Sequence, residues 1–182
     1  MDHYRVDIES ILEVLAETIE VHDDLALSTF EVGSELFRPQ GPAHFDVTLT
    51  NGGTAIVGMG KVTLPVLATC ARCLVEFPTT IEAEVDGFYI RPGHEEGLPE
   101  EQEIEYIDSE HRVDILPAIM AGLVLEAPFA PLHDERCAGI CVTCGADLNE
   151  GPCGCELGQP GDDHPFSALK GLIEPSGADL AE

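Results

Sequence analysis

Phe45-Asp46-Val47-Thr48-Leu49-Thr50-Asn51-Gly52-Gly53 is the stretch whose reading decides the fold. Phe45, Val47 and Leu49 fall on one side of an extended chain and Asp46, Thr48 and Thr50 on the other, the period of two of a half-buried strand. Asn51-Gly52-Gly53 then supplies residues that tolerate positive φ, so the chain turns back on itself. Beyond the turn, residues 55–59 and 61–69 read as further strands. Ile81, Ala83, Val85 and Gly87 alternate with Glu82, Glu84 and Asp86 in another. Strands joined by tight turns, without intervening helices, favour an antiparallel sheet or small barrel over parallel βαβ units.

Upstream, Arg38-Pro39-Gln40-Gly41-Pro42 reads as a break and residues 26–32 as a short strand. Ile8, Ile11, Leu12, Leu15 and Ile19 recur at helical spacing behind Asp7, which predicts an N-capped amphipathic helix of about 13 residues. Downstream, residues 92–112 are rich in Pro, Gly and Glu and read as a solvated loop. Asp114 is placed to cap a helix reaching about Leu125, with Pro117 tolerable in its first turn. Ala127-Pro128-Phe129-Ala130-Pro131 stops that helix. Phe166, Leu169 and Leu172 predict a last short helix at 165–173, before a frayed end at 174–182.

At 182 residues and 44% apolar, the chain is long enough for a core and a small appendage. No apolar run approaches the roughly 20 residues of a membrane-spanning helix. The start lacks the basic and apolar segments of a secretory signal, so a cytoplasmic protein without membrane contact is expected. Charge is less ordinary: 35 acids against 8 bases give −27, with Lys61 and Lys170 the only lysines. Nucleic-acid affinity comes mainly from Lys and Arg displacing counterions, so this balance disfavours direct RNA binding and favours basic protein partners. Solubility, or a salty cytoplasm, would produce the same balance.

Seven cysteines are the other unusual count. An odd number without a secretion signal argues against a disulfide framework and for metal. Cys141-Val142-Thr143-Cys144-Gly145 has the two-residue spacing that lets both sulfurs reach one ion, followed by a glycine that can curl the backbone around it. Cys153 and Cys155 complete a four-thiolate set. Cys70, Cys73, His133 and Cys137 remain, and four is the number a closed structural zinc needs. Seven thiols and one imidazole thus divide into two candidate zinc sites. Cys70-Ala71-Arg72-Cys73 could instead be a redox pair with Arg72 lowering a thiolate pKa, but such a pair opens a helix, and this one follows a strand. No phosphate loop, nucleophile elbow or HExxH is present, and a non-enzyme is expected.

These residues carry a resemblance. Cys70-Ala71-Arg72-Cys73-Leu74-Val75-Glu76-Phe77 is similar to the C-x-R-C-L-x-x-F signature of the YceD family, the large ribosomal RNA subunit accumulation proteins of bacteria and plastids. Pro131-Leu132-His133 through Cys155 resembles the family's C-terminal signature. Val113-Asp114-Ile115 and Pro165-Phe166-Ser167-Ala168-Leu169-Lys170 resemble further blocks. Many relatives have cysteine where this chain has His133, a swap that preserves ligation, and some lack most of the C-terminal cysteines. The resemblance implies a role in 23S rRNA accumulation or processing and large-subunit assembly, and no catalytic residues. Combined with the charge, it points to large-subunit ribosomal proteins or rRNA-processing factors as partners, with rRNA contacted indirectly. A thiol-based redox or metal-sensing protein is the alternative, and a zinc-ribbon transcription adaptor a third reading. The expected architecture is α+β: an antiparallel β domain over 1–128, a zinc-ribbon-like module at 129–158, and a short helix with an acidic tail at 159–182.

Overall fold

The computed structural model describes residues 3–95 and 103–155. The helix expected at 165–173 and the tail at 174–182 lie outside them. The chain divides into two compact units, Met1–Cys137 and Ala138–Glu182. The first unit runs past residue 128 because the Ala71 amide donates to the Pro131 carbonyl at 2.8 Å, and Arg72 donates to the Glu135 and Cys137 carbonyls.

In the first unit, β1 (Arg5–Asp7) leads through a single 3-10 turn (Glu9–Ile11) into β2 (Thr18–Leu25), β3 (Phe30–Val32), β4 (Glu35–Pro39), β5 (Ala43–Asn51), β6 (Ile56–Thr69) and β7 (Glu76–Ile90). The short strands β8 (Glu105–Tyr106) and β9 (Arg112–Asp114) follow, then α1 (Leu116–Glu126). β6 is the spine of a seven-stranded sheet: β7 pairs along one edge, and β5 then β4 along the other. Its pairings are antiparallel except for β7 with β8. Among the described residues β2 pairs only with β5, so the sheet they form is open there rather than closed into a barrel. β1 and β9 form a separate antiparallel pair.

The alternation read from the sequence holds through β5, where Ala43, Phe45, Val47 and Leu49 are buried, and through β7 at Ile81, Ala83 and Val85. α1 lies on β7 and buries Ala118, Ile119 and Leu123, each large side chain contributing about 1.5–3 kcal/mol. The N-cap of α1 is Ile115, without a side-chain cap hydrogen bond, and not Asp114 as expected; Asp114 stands one residue earlier, its Oδ1 accepting the Leu116 and Tyr4 amides. The architecture is α+β and mostly antiparallel, with one α-helix among the described residues.

Several expectations are corrected. The amphipathic helix at the N-terminus does not form. Asn51 Nδ2 donates to the Ile11 and Leu12 carbonyls, at 2.7 and 3.1 Å, taking acceptors that a helix would have given to its own amides. Ile19 joins β2 opposite Leu49 instead. Asp7 still accepts the Glu9 amide, but it starts a 3-10 turn. The strand expected at 26–32 is Phe30–Val32, with β2 ending at Leu25. Residues 55–59 and 61–69 belong to one strand, β6, because Gly60 does not break it. A Cβ there would stand 2.0 Å from the Asp46 carbonyl, so glycine permits a close approach of β5. The expected break begins only after Pro39, the last residue of β4. The supposed loop at 92–112 contains β8 and the start of β9, anchored by buried Ile107 and Val113.

Candidate metal centres

β6 ends at Thr69 and β7 begins at Glu76, directly opposite each other, so the intervening residues must reverse the chain. The Cys70 amide donates to the Val75 carbonyl and the Leu74 amide to the Cys70 carbonyl, both at 2.9 Å. Leu74 turns the corner at φ 63. This knuckle aims Cys70 and Cys73 to one side, and the segment held by the Pro131 contact brings His133 and Cys137 to meet them. The Cys70 and Cys137 sulfurs are 3.8 Å apart, and His133 Nδ1 is 3.4 Å from the Cys73 sulfur. Zinc–sulfur bonds of about 2.3 Å give tetrahedral S–S edges of roughly 3.8 Å, whereas a disulfide would need about 2.05 Å. None of the seven cysteines is in a disulfide.

The second unit repeats the knuckle. The Cys141 amide donates to the Ala146 carbonyl and the Gly145 amide to the Cys141 carbonyl, both at 2.8 Å, with Gly145 at φ 74. A single bridge between Ile140 and Asp147 backs this turn. Asn149 Oδ1 accepts the Ala138 amide, and Gly154 at φ 74 separates Cys153 from Cys155. The donor atoms of Cys70, Cys73, His133 and Cys137 lie within 4.8 Å of one another, and so do those of Cys141, Cys144, Cys153 and Cys155. The structure therefore brings together the same two sets of four that the sequence divides by count. Each set could hold a metal ion, and nothing among the described residues of the second unit marks it as a zinc ribbon.

Electrostatics fit a cation at both places. Burial alone would push the Cys70 thiol up, but the Cys73 amide, the His133 ring and amide and the Arg72 amide outweigh it and pull it down to about 5. Cys73 goes the other way, to about 11, through burial and the neighbouring Cys70 and Cys137 sulfurs. The amides of Cys144 and Thr143, then Cys153, draw Cys141 down to about 6, while Cys144 and Cys153 drive Cys155 up to about 12. In each set amide hydrogens favour one thiolate, and that charge opposes another; a divalent ion removes the conflict. Three or four thiolates are a soft donor set that suits zinc and not magnesium or calcium.

Arg72 is the residue whose part the sequence does not reveal. Its Nη1 donates to the Glu135 carbonyl at 3.1 Å and to the Cys137 carbonyl at 3.0 Å, gripping the turn that carries the fourth candidate ligand. Its place between two ligand cysteines was the available signal, but the acceptors are backbone atoms more than 60 positions away. The redox reading of Cys70 and Cys73 loses its structural basis, since the pair sits in a hairpin and opens no helix.

Among the described residues no helix is long and apolar enough to cross a membrane. An uncharacterized protein of Mycobacterium bovis is 27% identical over 150 residues, covering 81% of this chain and 72% of its own. The same figures hold for an uncharacterized protein of Mycobacterium tuberculosis strain H37Rv. An uncharacterized Mycobacterium leprae protein is 23% identical over 107 residues, 59% of this chain, and the match spans 49% of its length. No solved structure matches. Residues 59–173, which include both knuckles, α1 and all eight candidate ligands, match the family described as Large ribosomal RNA subunit accumulation protein YceD, and the chain belongs to that family.

Proposed function

We propose that this protein is a non-catalytic factor for the accumulation and processing of 23S rRNA, and so for assembly of the large ribosomal subunit. It acts through basic protein partners, with zinc as a structural cofactor at both centres. The family match over residues 59–173 carries the ribosomal part of this reading. The outward face of the sheet supports the partner part. Cross-strand register aligns His22, Asp46, Lys61 and Glu84 in one row, and Asp24, His44, Thr63 and Glu82 in the next. Glu20, Thr48, Met59 and Asp86 make a third row, so Lys61 is the one lysine on a face edged by acids. Such a face attracts Lys- and Arg-rich proteins and repels phosphate. The donor sets and the 3.8 Å sulfur separation support zinc.

The test is a crosslinked pull-down of the tagged full chain from growing cells, with RNA and protein identified together. Precursor 23S rRNA with large-subunit proteins is the expected recovery; thiol-exchange partners alone would favour the redox or metal-sensing alternative. In vitro, a basic large-subunit protein should bind more tightly than isolated precursor rRNA at about 0.15 M salt. Equal or tighter RNA binding would overturn the partner reading.

A further inference from the structure

The two knuckles share one hydrogen-bond pattern, from the first cysteine's amide to the carbonyl five residues on and back to its own carbonyl from the residue four on. Whatever differs between the centres therefore comes from what surrounds the turns. The first knuckle closes two long strands paired up to Thr69 and Glu76, and Glu76 is held in turn by Arg38. Cys70 and Cys137 are buried, Cys73 is half-buried and His133 is exposed. Arg72 bonds both carbonyls of the limb that presents Cys137. The second knuckle stands on one isolated bridge. Gly139, Gly145, Gly151 and Gly154 all have positive φ around it. Only Cys141 of this set is buried; Cys144 is exposed, Cys153 and Cys155 are half-buried, and Thr143 stands where the first knuckle has Arg72.

Loss of a tetrahedrally bound ion begins when one thiolate swings away and an incoming ligand takes its place. That step needs a ligand on a limb free to move and a path for the competitor. In the first centre the limb is pinned by the guanidinium and two sulfurs are out of reach of solvent. In the second an exposed sulfur and a glycine-flanked Cys153-Gly154-Cys155 segment supply both requirements.

We infer that the two centres hold zinc with unequal kinetic stability: Cys70, Cys73, His133 and Cys137 form a locked centre, with Arg72 as its positioning residue, and Cys141, Cys144, Cys153 and Cys155 form an exchanging one. This rests on the zinc reading above. Its consequence is that residues 138–155 depend on available zinc for their order, while the β domain keeps its ion. Supporting groups of this kind change metal binding by about 10–100-fold when removed. Both Arg72 bonds leave one nitrogen, Nη1, so a lysine ammonium, with three donors on one atom, carries what is needed to hold the same two carbonyls.

Full-length protein loaded with Zn²⁺ is challenged with an excess of a metallochromic chelator, and bound ions are counted by native mass spectrometry. Two ions per chain are expected, one leaving at least about tenfold faster than the other. Cys144→Ser should abolish the fast phase and leave the slow ion in place. Arg72→Ala should accelerate the slow phase by about tenfold or more without touching the fast one, and Arg72→Lys should restore it at least in part. Should the alanine variant not fold, the lysine variant and the wild-type phases still decide. Release of both ions in one phase, or a slow phase lost in Cys144→Ser, overturns the inequality while leaving zinc in place. Protein that binds no Zn²⁺, and shows no tetrahedral absorption with Co²⁺, overturns the zinc reading itself.

Discussion

Asn51 uses every arm of its side chain: Nδ2 donates to the Ile11 and Leu12 carbonyls, and Oδ1 accepts the Gly53 amide at 2.8 Å. It is the only buried polar side chain among the described residues. Asn51→Ala takes a donor from the Leu12 carbonyl and an acceptor from the Gly53 amide, and leaves the Ile11 carbonyl with the Val14 amide at 3.4 Å, which costs about 1–3 kcal/mol. A urea titration checks this: the midpoint should fall while the slope stays constant, and a loss below about 0.5 kcal/mol would mean that water replaces the amide. Its place in Asn51-Gly52-Gly53 predicts a turn, and the turn is there; the reach of its side chain to residues 40 positions back has no local signature. Leu74 poses the opposite problem. Gly145 after Cys144 announces a left-handed residue, whereas Leu74 after Cys73 announces none and adopts φ 63 all the same. The Cys70–Val75 hydrogen bonds impose that conformation, against a cost of about 1–2 kcal/mol for a side chain there.

At the scale of elements, β5, β7 and α1 are legible because each carries its own period and its own boundary residues. β5 has alternation and a glycine turn; α1 has Asp114 before it and Ala127-Pro128 after it. The N-terminal segment has a helical period but lies beside β5 and Asn51, and tertiary hydrogen bonds override its propensity. α1 also shows how closely an element is fitted. A Cβ on Gly122 would stand 2.2 Å from the Glu84 carbonyl oxygen, so helix and strand backbones touch there. Gly122→Ala must push α1 away from β7 and should cost about 1–3 kcal/mol, despite alanine's better helix propensity. Thermal unfolding followed by circular dichroism measures it; an unchanged or raised midpoint would show that α1 can shift without loss.

The whole molecule carries −27, and the sheet distributes its share with care. Across β2, β5, β6 and β7 no acid on the outward face stands directly opposite another: Asp46 faces His22 and Lys61, Asp24 faces His44, and Asp86 faces Met59. Direct like-charge pairs, which destabilise a sheet, are thereby avoided, but the longer-range repulsion remains. Raising NaCl from about 0.1 to 1 M shortens the screening length from about 10 to 3 Å, so the melting temperature should rise. A midpoint that is flat or falling with salt would show that local pairs such as Arg38–Glu76 and Arg112–Asp108 outweigh the repulsion.

The sequence by itself determined the antiparallel strands around Asn51-Gly52-Gly53, the helix after Asp114 and the partition of eight candidate ligands into two fours. Each of these is encoded within a few residues, as a period, a cap or a two-residue spacing. Only the tertiary structure decided the course of residues 8–19, the continuity of β6 through Gly60, the short strands at 105–106 and 112–114, and the grip of Arg72 on the Cys137 limb. All four depend on backbone groups brought close by folding, and no local pattern of side chains records where a distant carbonyl will be.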